Sequence, residues 1–179
     1  MKRKILVTLV IIISLSTIIH FRMNSKDPDI LLPLIKEIES LVPLRDRKNI
    51  EVSQADVAWQ LDHSLKVINR ISDTLERSNP ADYKSSINPG RIFVLGGGYI
   101  PRGRAQSPDV VRPPEIIWTE DLYEQIREAI NNIEVIKDLP DDAHFSHFAF
   151  GQMNKGQTIR FLEVHTKHHL KIVKDIVKE

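Results

Sequence analysis

The 179-residue chain contains no cysteine. Disulfides, iron–sulfur clusters, thiolate nucleophiles, cysteine-ligated zinc and an acylated lipoprotein signal are therefore excluded. Any metal must be held by histidine, carboxylate and water. A charge excess is also missing, since Lys plus Arg number 25 against 24 for Asp plus Glu, giving a net charge of +1. That balance implies no nucleic acid or other polyanionic partner. The length suits one domain with a modest single core, and no second domain is required.

One long hydrophobic run is present, at the N-terminus. Met1-Lys2-Arg3-Lys4 precedes Ile5 to Phe21, which is apolar except for Thr, Ser and His20, and Arg22 and Lys26 follow. No small-x-small cleavage site occurs in Ile18-Ile19-His20-Phe21-Arg22. We expect an uncleaved transmembrane signal anchor over residues 1–26 and a domain over 27–179. The basic residues before the run put that domain outside the cytoplasm. The alternative is a secretory signal that is cut off.

Downstream, apolar residues recur at helical spacing in four segments. The first is Ile30 to Leu41, with Leu31, Leu34, Ile35, Ile38 and Leu41, and with Pro33 in its first turn. The second has Ser53 as a cap, Asp56 three residues on, and Val57, Leu61, Leu65, Ile68 and Ile71 as its stripe. The third starts after Trp118, with Thr119 as cap and Leu122, Ile126, Ile130 and Ile133 as the apolar face. Asn154 caps the fourth, which carries Ile159, Leu162, His165, His169, Ile172 and Ile176. Four amphipathic helices predict an all-α four-helix bundle.

Between the second and third helices, Ser78 to Trp118 holds most of the glycine and proline. A connection this long suggests function or a crossover. Its apolar piece, Arg91-Ile92-Phe93-Val94-Leu95, suits a short strand or a lid on the bundle end. Gly96-Gly97-Gly98 lacks the Gly-Lys-Ser/Thr and βαβ context of a phosphate loop, so a turn is the better reading. Arg91, Arg102, Arg104 and Arg112 make the segment cationic. They either meet an anionic substrate or, as is commoner, are solvated or paired with local carboxylates.

The histidines carry the chemistry. His165 and His169 are four residues apart, so on a helix they share a face. His63 lies mid-way along the second helix, four residues after Trp59. Together the three can form a three-histidine metal site with open coordination positions. Three imidazoles on inward faces would be costly to bury without a common partner. His168 sits about 100° round the helix from His169 and is expected to face aside into solvent. His147 is expected to structure a turn or line the mouth of the site, and His144 to be exposed. Trp59 and Phe161 suit core packing better than substrate stacking.

The stretch His147-Phe148-Ala149-Phe150-Gly151, followed by Arg160-Phe161-Leu162-Glu163-Val164-His165-Thr166-Lys167-His168-His169-Leu170-Lys171, resembles the last loop and helix of the DinB/YfiT-like superfamily. It is similar in particular to a DinB-related family of unknown function, in which a His-Pro-x-Phe-Gly turn precedes a helix bearing His-x-x-x-His-His-Leu. Trp59-Gln60-Leu61-Asp62-His63, Gly103-Arg104-Ala105-Gln106-Ser107-Pro108 and Pro113-Pro114 agree in order, and Phe148 stands where the turn usually has proline. The resemblance runs from about Ile30 to the C-terminus. It implies a DinB-like four-helix bundle with a long crossover between helices two and three. It also implies a divalent metal (nickel, zinc or iron) on His63, His165 and His169.

Such a metal can act as a Lewis acid or yield hydroxide near neutral pH, so a metal-dependent hydrolase is the simplest expectation. Asp62 and Glu163 both project away from the ligand face, and no general base is apparent. Catalytic residues and the small-molecule substrate are left open. The alternatives are a metal-dependent thiol transferase, the activity the resemblance suggests, and a non-catalytic, membrane-anchored metal- or ligand-binding module. A homodimer through helix faces is neither required nor excluded.

Overall fold

A computed structural model describes residues 2–103 and 107–178, without the side chains of residues 2–5, 12, 15, 16 and 20. Arg104, Ala105 and Gln106 lie outside the described residues, so the reading of Arg104 as a loop cation is not addressed. The chain is mostly helical with one small sheet. Its elements are α1 (Lys2–Arg22), α2 (Leu32–Leu41), α3 (Val57–Arg77), the one-turn α4 (Pro89–Arg91), α5 (Thr119–Asp138), β1 (His144–His147), β2 (Gly151–Asn154) and α6 (Lys155–Val177).

Local chemistry sets the helix boundaries. The α3 cap is Asp56, not Ser53: its carboxylate accepts the Trp59 amide at 2.8 Å, while Ser53 Oγ accepts from Ala55 N and Gln60 Nε2. A carboxylate favours the positive end of a helix dipole more than a hydroxyl does. Thr119 does not cap α5 either. Trp118 holds that position without a side-chain bond, and Thr119 Oγ1 instead accepts from Arg45 Nη1 at 2.7 Å. Asn154 caps α6 as expected, through the Gln157 amide at 3.0 Å. The C-terminus of α5 is closed by the buried Lys155, whose ammonium donates to the carbonyls of Lys137 and Leu139.

Helix α3 is the axis of the packing, meeting both α5 and α6, and α2 closes the other side against α5 and α6. Leu61, Leu65 and Ile68 of α3 share one core with Ile35 and Ile38, Leu122, Ile126 and Ile133, and Leu162 and Val173. Burying each such side chain contributes about 1.5–3 kcal/mol relative to exposing it. On α5 the buried stripe is Leu122, Ile126, Ala129, Ile133 and Ile136, and Ile130 is 40% exposed. The small Ala129 faces the core, and its place in the period was masked by the larger isoleucine beside it.

Among its described residues the crossover contains no strand. Asn88 caps α4, and Ile92–Gly96 continues as a π-helical turn that buries Val94 and Leu95 over the bundle. The sheet lies elsewhere, as an antiparallel hairpin pairing His144 with Asn154 and His147 with Gly151. Gly151 has φ +68°, a backbone conformation that disfavours side-chain-bearing residues. Buried Arg91 fastens the crossover to this hairpin, donating to the carbonyls of Phe150 and Gln152 and to that of Ser86.

At the N-terminus, α1 bears exposed Leu6, Val7, Leu9, Val10, Ile11, Ile13, Ile18 and Phe21. The chain just after α1 docks on the fold, with buried Met23 beside Gly96 and the Ser25 amide donating to Gly156 O at 3.0 Å. Among the described residues, no helix is long and apolar enough to cross a membrane. The expected transmembrane span over residues 1–26 is thus not found there. The run from Ile5 to Phe21 is shorter than the roughly 20 residues a span needs, and Thr8, Ser14, Ser16, Thr17 and His20 dilute it.

Replacing Arg91 by methionine keeps the aliphatic stem but leaves its backbone carbonyl partners without a donor. We expect a loss of about 2–3 kcal/mol in urea unfolding, with the helical circular dichroism of the folded protein unchanged.

Candidate metal centre

His63, His165 and His169 come together between α3 and α6, each offering a ring nitrogen within 4.8 Å of the other two. Their ring centroids lie 5.1 Å (His63–His165), 4.7 Å (His63–His169) and 4.5 Å (His165–His169) apart. His63 and His169 are buried and His165 is half-buried. The shared helix face foreseen for His165 and His169 is realised, and α3 supplies the third imidazole from across the core.

Hydrogen bonds fix which nitrogens are free. A carbonyl can only accept, so the 2.8 Å contact from His63 Nδ1 to Val111 O places a proton on Nδ1 and leaves a lone pair on Nε2. Ser107 Oγ approaches the same Nδ1 at 3.2 Å. His169 Nδ1 donates likewise to Gln60 Oε1 at 2.6 Å, which frees its Nε2. Gln60 is itself oriented through Ser53 Oγ at 3.3 Å. Such outer hydrogen bonds set the tautomer and basicity of metal-binding histidines. His165 Nδ1 is buried with no hydrogen-bond partner among the described residues, and its Nε2 stands 3.3 Å from His169 Nε2. Two nitrogens that near need a proton or a cation between them. The spacing fits a shared cation, because two ligands about 2.05 Å from a tetrahedral metal sit about 3.3 Å apart.

Burial keeps these rings neutral, as ligation requires. It pushes the His63 imidazole below its ordinary value, against the opposing pull of the Val111 carbonyl. His165 and His169 are pushed well below theirs, first by burial and then by neighbouring rings: His63, His168 and His147 for His165, and His165, His63 and His168 for His169. Trp59 stacks on His63 with ring centres 4.9 Å apart, and buried Phe161 lies 5.5 Å from His165. Both serve as walls of the site as well as core.

No carboxylate among the described residues joins the three histidines. Asp62, next to His63, is buried and receives Lys66 Nζ at 2.6 Å and Gln125 Nε2 at 2.8 Å, tying α3 to α5. Burial alone would push Glu163 up, but Lys167 and Arg160 hold it below its ordinary value. Neither carboxylate serves as a base at the triad. His168 departs from expectation: it is half-buried and edge-on to His169, with ring centres 5.0 Å apart. His144 is likewise half-buried, on Tyr83. His147 sits in an aromatic wall with Phe148, Phe150 and Phe161, and its Nδ1 accepts the Ala149 amide at 3.1 Å.

Of the loop arginines, Arg91 is structural, Arg102 pairs with Asp175 and Arg112 pairs with Asp109. None is placed at the triad. The residues that sequence reasoning missed are Gln60, Ser107 and Val111. Gln60 lies three residues before His63 and so on its face of α3, a usable signal. Val111 contributes a carbonyl, which no side-chain pattern reveals.

Gln60→Leu removes the acceptor that orients His169 and is expected to weaken metal binding by about 10–100-fold with the fold retained, measured by competition with a chromophoric chelator. The metal-free protein should also lose stability in acid. His147 is pushed from an ordinary 6.5 to about 4 by burial, and the triad shifts in the same direction. Below pH 6.5 the unfolded chain therefore binds more protons than the native one, so stability rises with pH across this window. Urea midpoints should fall from pH 6.5 towards 4, and His147→Gln should flatten that slope.

No family model, curated protein or solved structure matches the chain.

Proposed function

We propose that this chain is a DinB-like four-helix-bundle metalloprotein that holds a divalent cation (nickel, zinc or iron) on His63, His165 and His169, and that it is a metal-dependent hydrolase. The carrying observation is the cluster itself: three ring nitrogens within 4.8 Å, with no carboxylate among the described residues completing the shell. Three protein ligands leave positions for water and substrate, as catalytic zinc sites do. The packing of α2, α3, α5 and α6 around one core and the long crossover after α3 support the bundle reading.

A bound cation would supply a Lewis acid and lower the pKa of its water towards about 7. The chain's own contribution is orientation. Val111 O and Gln60 Oε1 hold two imidazoles in the ligating tautomer, and Trp59 and Phe161 wall the rings. A second reading, a non-catalytic metal-binding module, is favoured by one feature: Asp62 and Glu163 are both committed to ion pairs.

For localisation we propose attachment to a membrane through α1, with the domain outside the cytoplasm. Its exposed apolar side chains and the Lys2-Arg3-Lys4 start support this.

Full-length protein purified without a metal-binding tag should carry a near-stoichiometric divalent metal by elemental analysis. His165→Ala should lose it while keeping its helical spectrum. Folded wild-type protein that is metal-free and refuses nickel, zinc and iron would overturn the assignment. Metal-loaded protein that turns over no ester, amide or phosphoester would decide for the binding module.

A further inference from the structure

A second polar site lies on α6, on a side turned by more than a quarter of the helix circumference from the His165 and His169 face. The crossover segment Gly98 to Arg102 passes over Val164, Lys167, His168 and Lys171, leaving a cavity of about 260 Å³. Its lining comprises Tyr99, Ile100, Arg102 and these four α6 residues together with Gly98. No acidic side chain is among them.

The overhang is built into the fold. Arg160 Nε donates to Leu95 O at 3.1 Å, and Arg160 Nη2 lies only 2.8 Å from where a Cβ on Gly98 would sit. Gly98 also has φ +66°, so the segment reaches this position because it is glycine. His168 and Ile100 line the cavity from opposite elements, α6 and the crossover.

The electrostatics are lopsided. Two carboxylates lie next to the cavity, and each is already shared between two cations. Glu163 meets Arg160 at 2.6 Å and Lys167 at 2.5 Å. Asp175 meets Arg102 at 2.7 Å and Lys178 at 3.5 Å. Lys171 is exposed, lines the cavity, and has no ion-pair partner among the described residues. Positive charge is therefore concentrated here although the chain as a whole carries only +1. Convergent Lys and Arg side chains bind oxyanions by charge-assisted hydrogen bonds, and a dianion gains most from several fixed cations. Tyr99, Ile100 and Val164 give one apolar wall, so there is room and surface for an organic remainder.

We propose that this cavity binds the phosphate group of a small phosphate monoester, gripped by Lys171, Lys167 and Arg102. The site is separate from the three-histidine centre and does not depend on a metal there. A phosphate monoester reaches it either as a free metabolite or as the headgroup of a lipid.

The test uses full-length protein in neutral detergent, stripped of metal by a chelator, so that success or failure is independent of the metal assignment. Glycerol phosphate is titrated while the Gly98, Tyr99 and Ile100 amides are followed by NMR. The expected result is saturable shifts at these amides, with affinity weakened at least about tenfold by Lys171→Glu and unchanged by Lys36→Glu, an exposed lysine on α2. His165→Ala should bind as the wild type does. Short-chain phosphatidic acid, against phosphatidylcholine, separates the two sources: preference for it over glycerol phosphate marks a lipid headgroup, the reverse a free ester, and either supports phosphate binding. Shifts that do not saturate, or equal weakening by Lys171→Glu and Lys36→Glu, would overturn the proposal.

Discussion

Everything at the candidate centre depends on one constraint, the burial of three imidazoles that must stay neutral and must each present the correct nitrogen. Burying polar rings is unfavourable unless each polar atom is satisfied. The chain meets this for two of the three with oxygens placed to accept, the Val111 carbonyl for His63 and Gln60 Oε1 for His169. His165 is the exception, with Nδ1 unpartnered and Nε2 pressed to 3.3 Å from a second imidazole. A site otherwise so well ordered, with one buried ring nitrogen unpartnered among the described residues and two others facing each other at 3.3 Å, has the form of a receptor for a cation.

The rest of the fold follows as support for that pair of helices. Helix α3 is held to α5 by a polar seam as well as by the core. Asp62 takes Gln125 and Lys66, and Asn69 bonds Gln125 O, Glu128 and Asn132. This seam accounts for a buried carboxylate next to a candidate metal ligand, His63, without giving it a proton-transfer role. The crossover is tied down at Arg91 and, through Arg160, at Leu95, and its later 3₁₀ turn, Asp109–Val111, sets a carbonyl on His63 Nδ1.

Much of this was legible in the sequence because it is periodic. The four main helices announce themselves through apolar residues at three- and four-residue steps, and His165 and His169 through a four-residue spacing on one of them. What was hidden is aperiodic or resides in the backbone. The Asp56 cap competed with a plausible Ser53, and the hairpin of His144–His147 with Gly151–Asn154 has strands of four residues without alternation. The π-helical turn at Ile92–Gly96 has the composition of a strand. His168 looked solvent-facing on α6 alone, and only the overlying crossover half-buries it.

The central claim is that three histidines of two helices share one cation. X-ray absorption on zinc-loaded protein tests it most directly, because the outer-shell scattering of imidazole counts histidine ligands. Three imidazoles with light oxygen ligands completing the shell, falling to two in His63→Ala, is the predicted result. Zinc bound through fewer than three imidazoles in the wild type, or a spectrum indifferent to His63→Ala, would contradict the account.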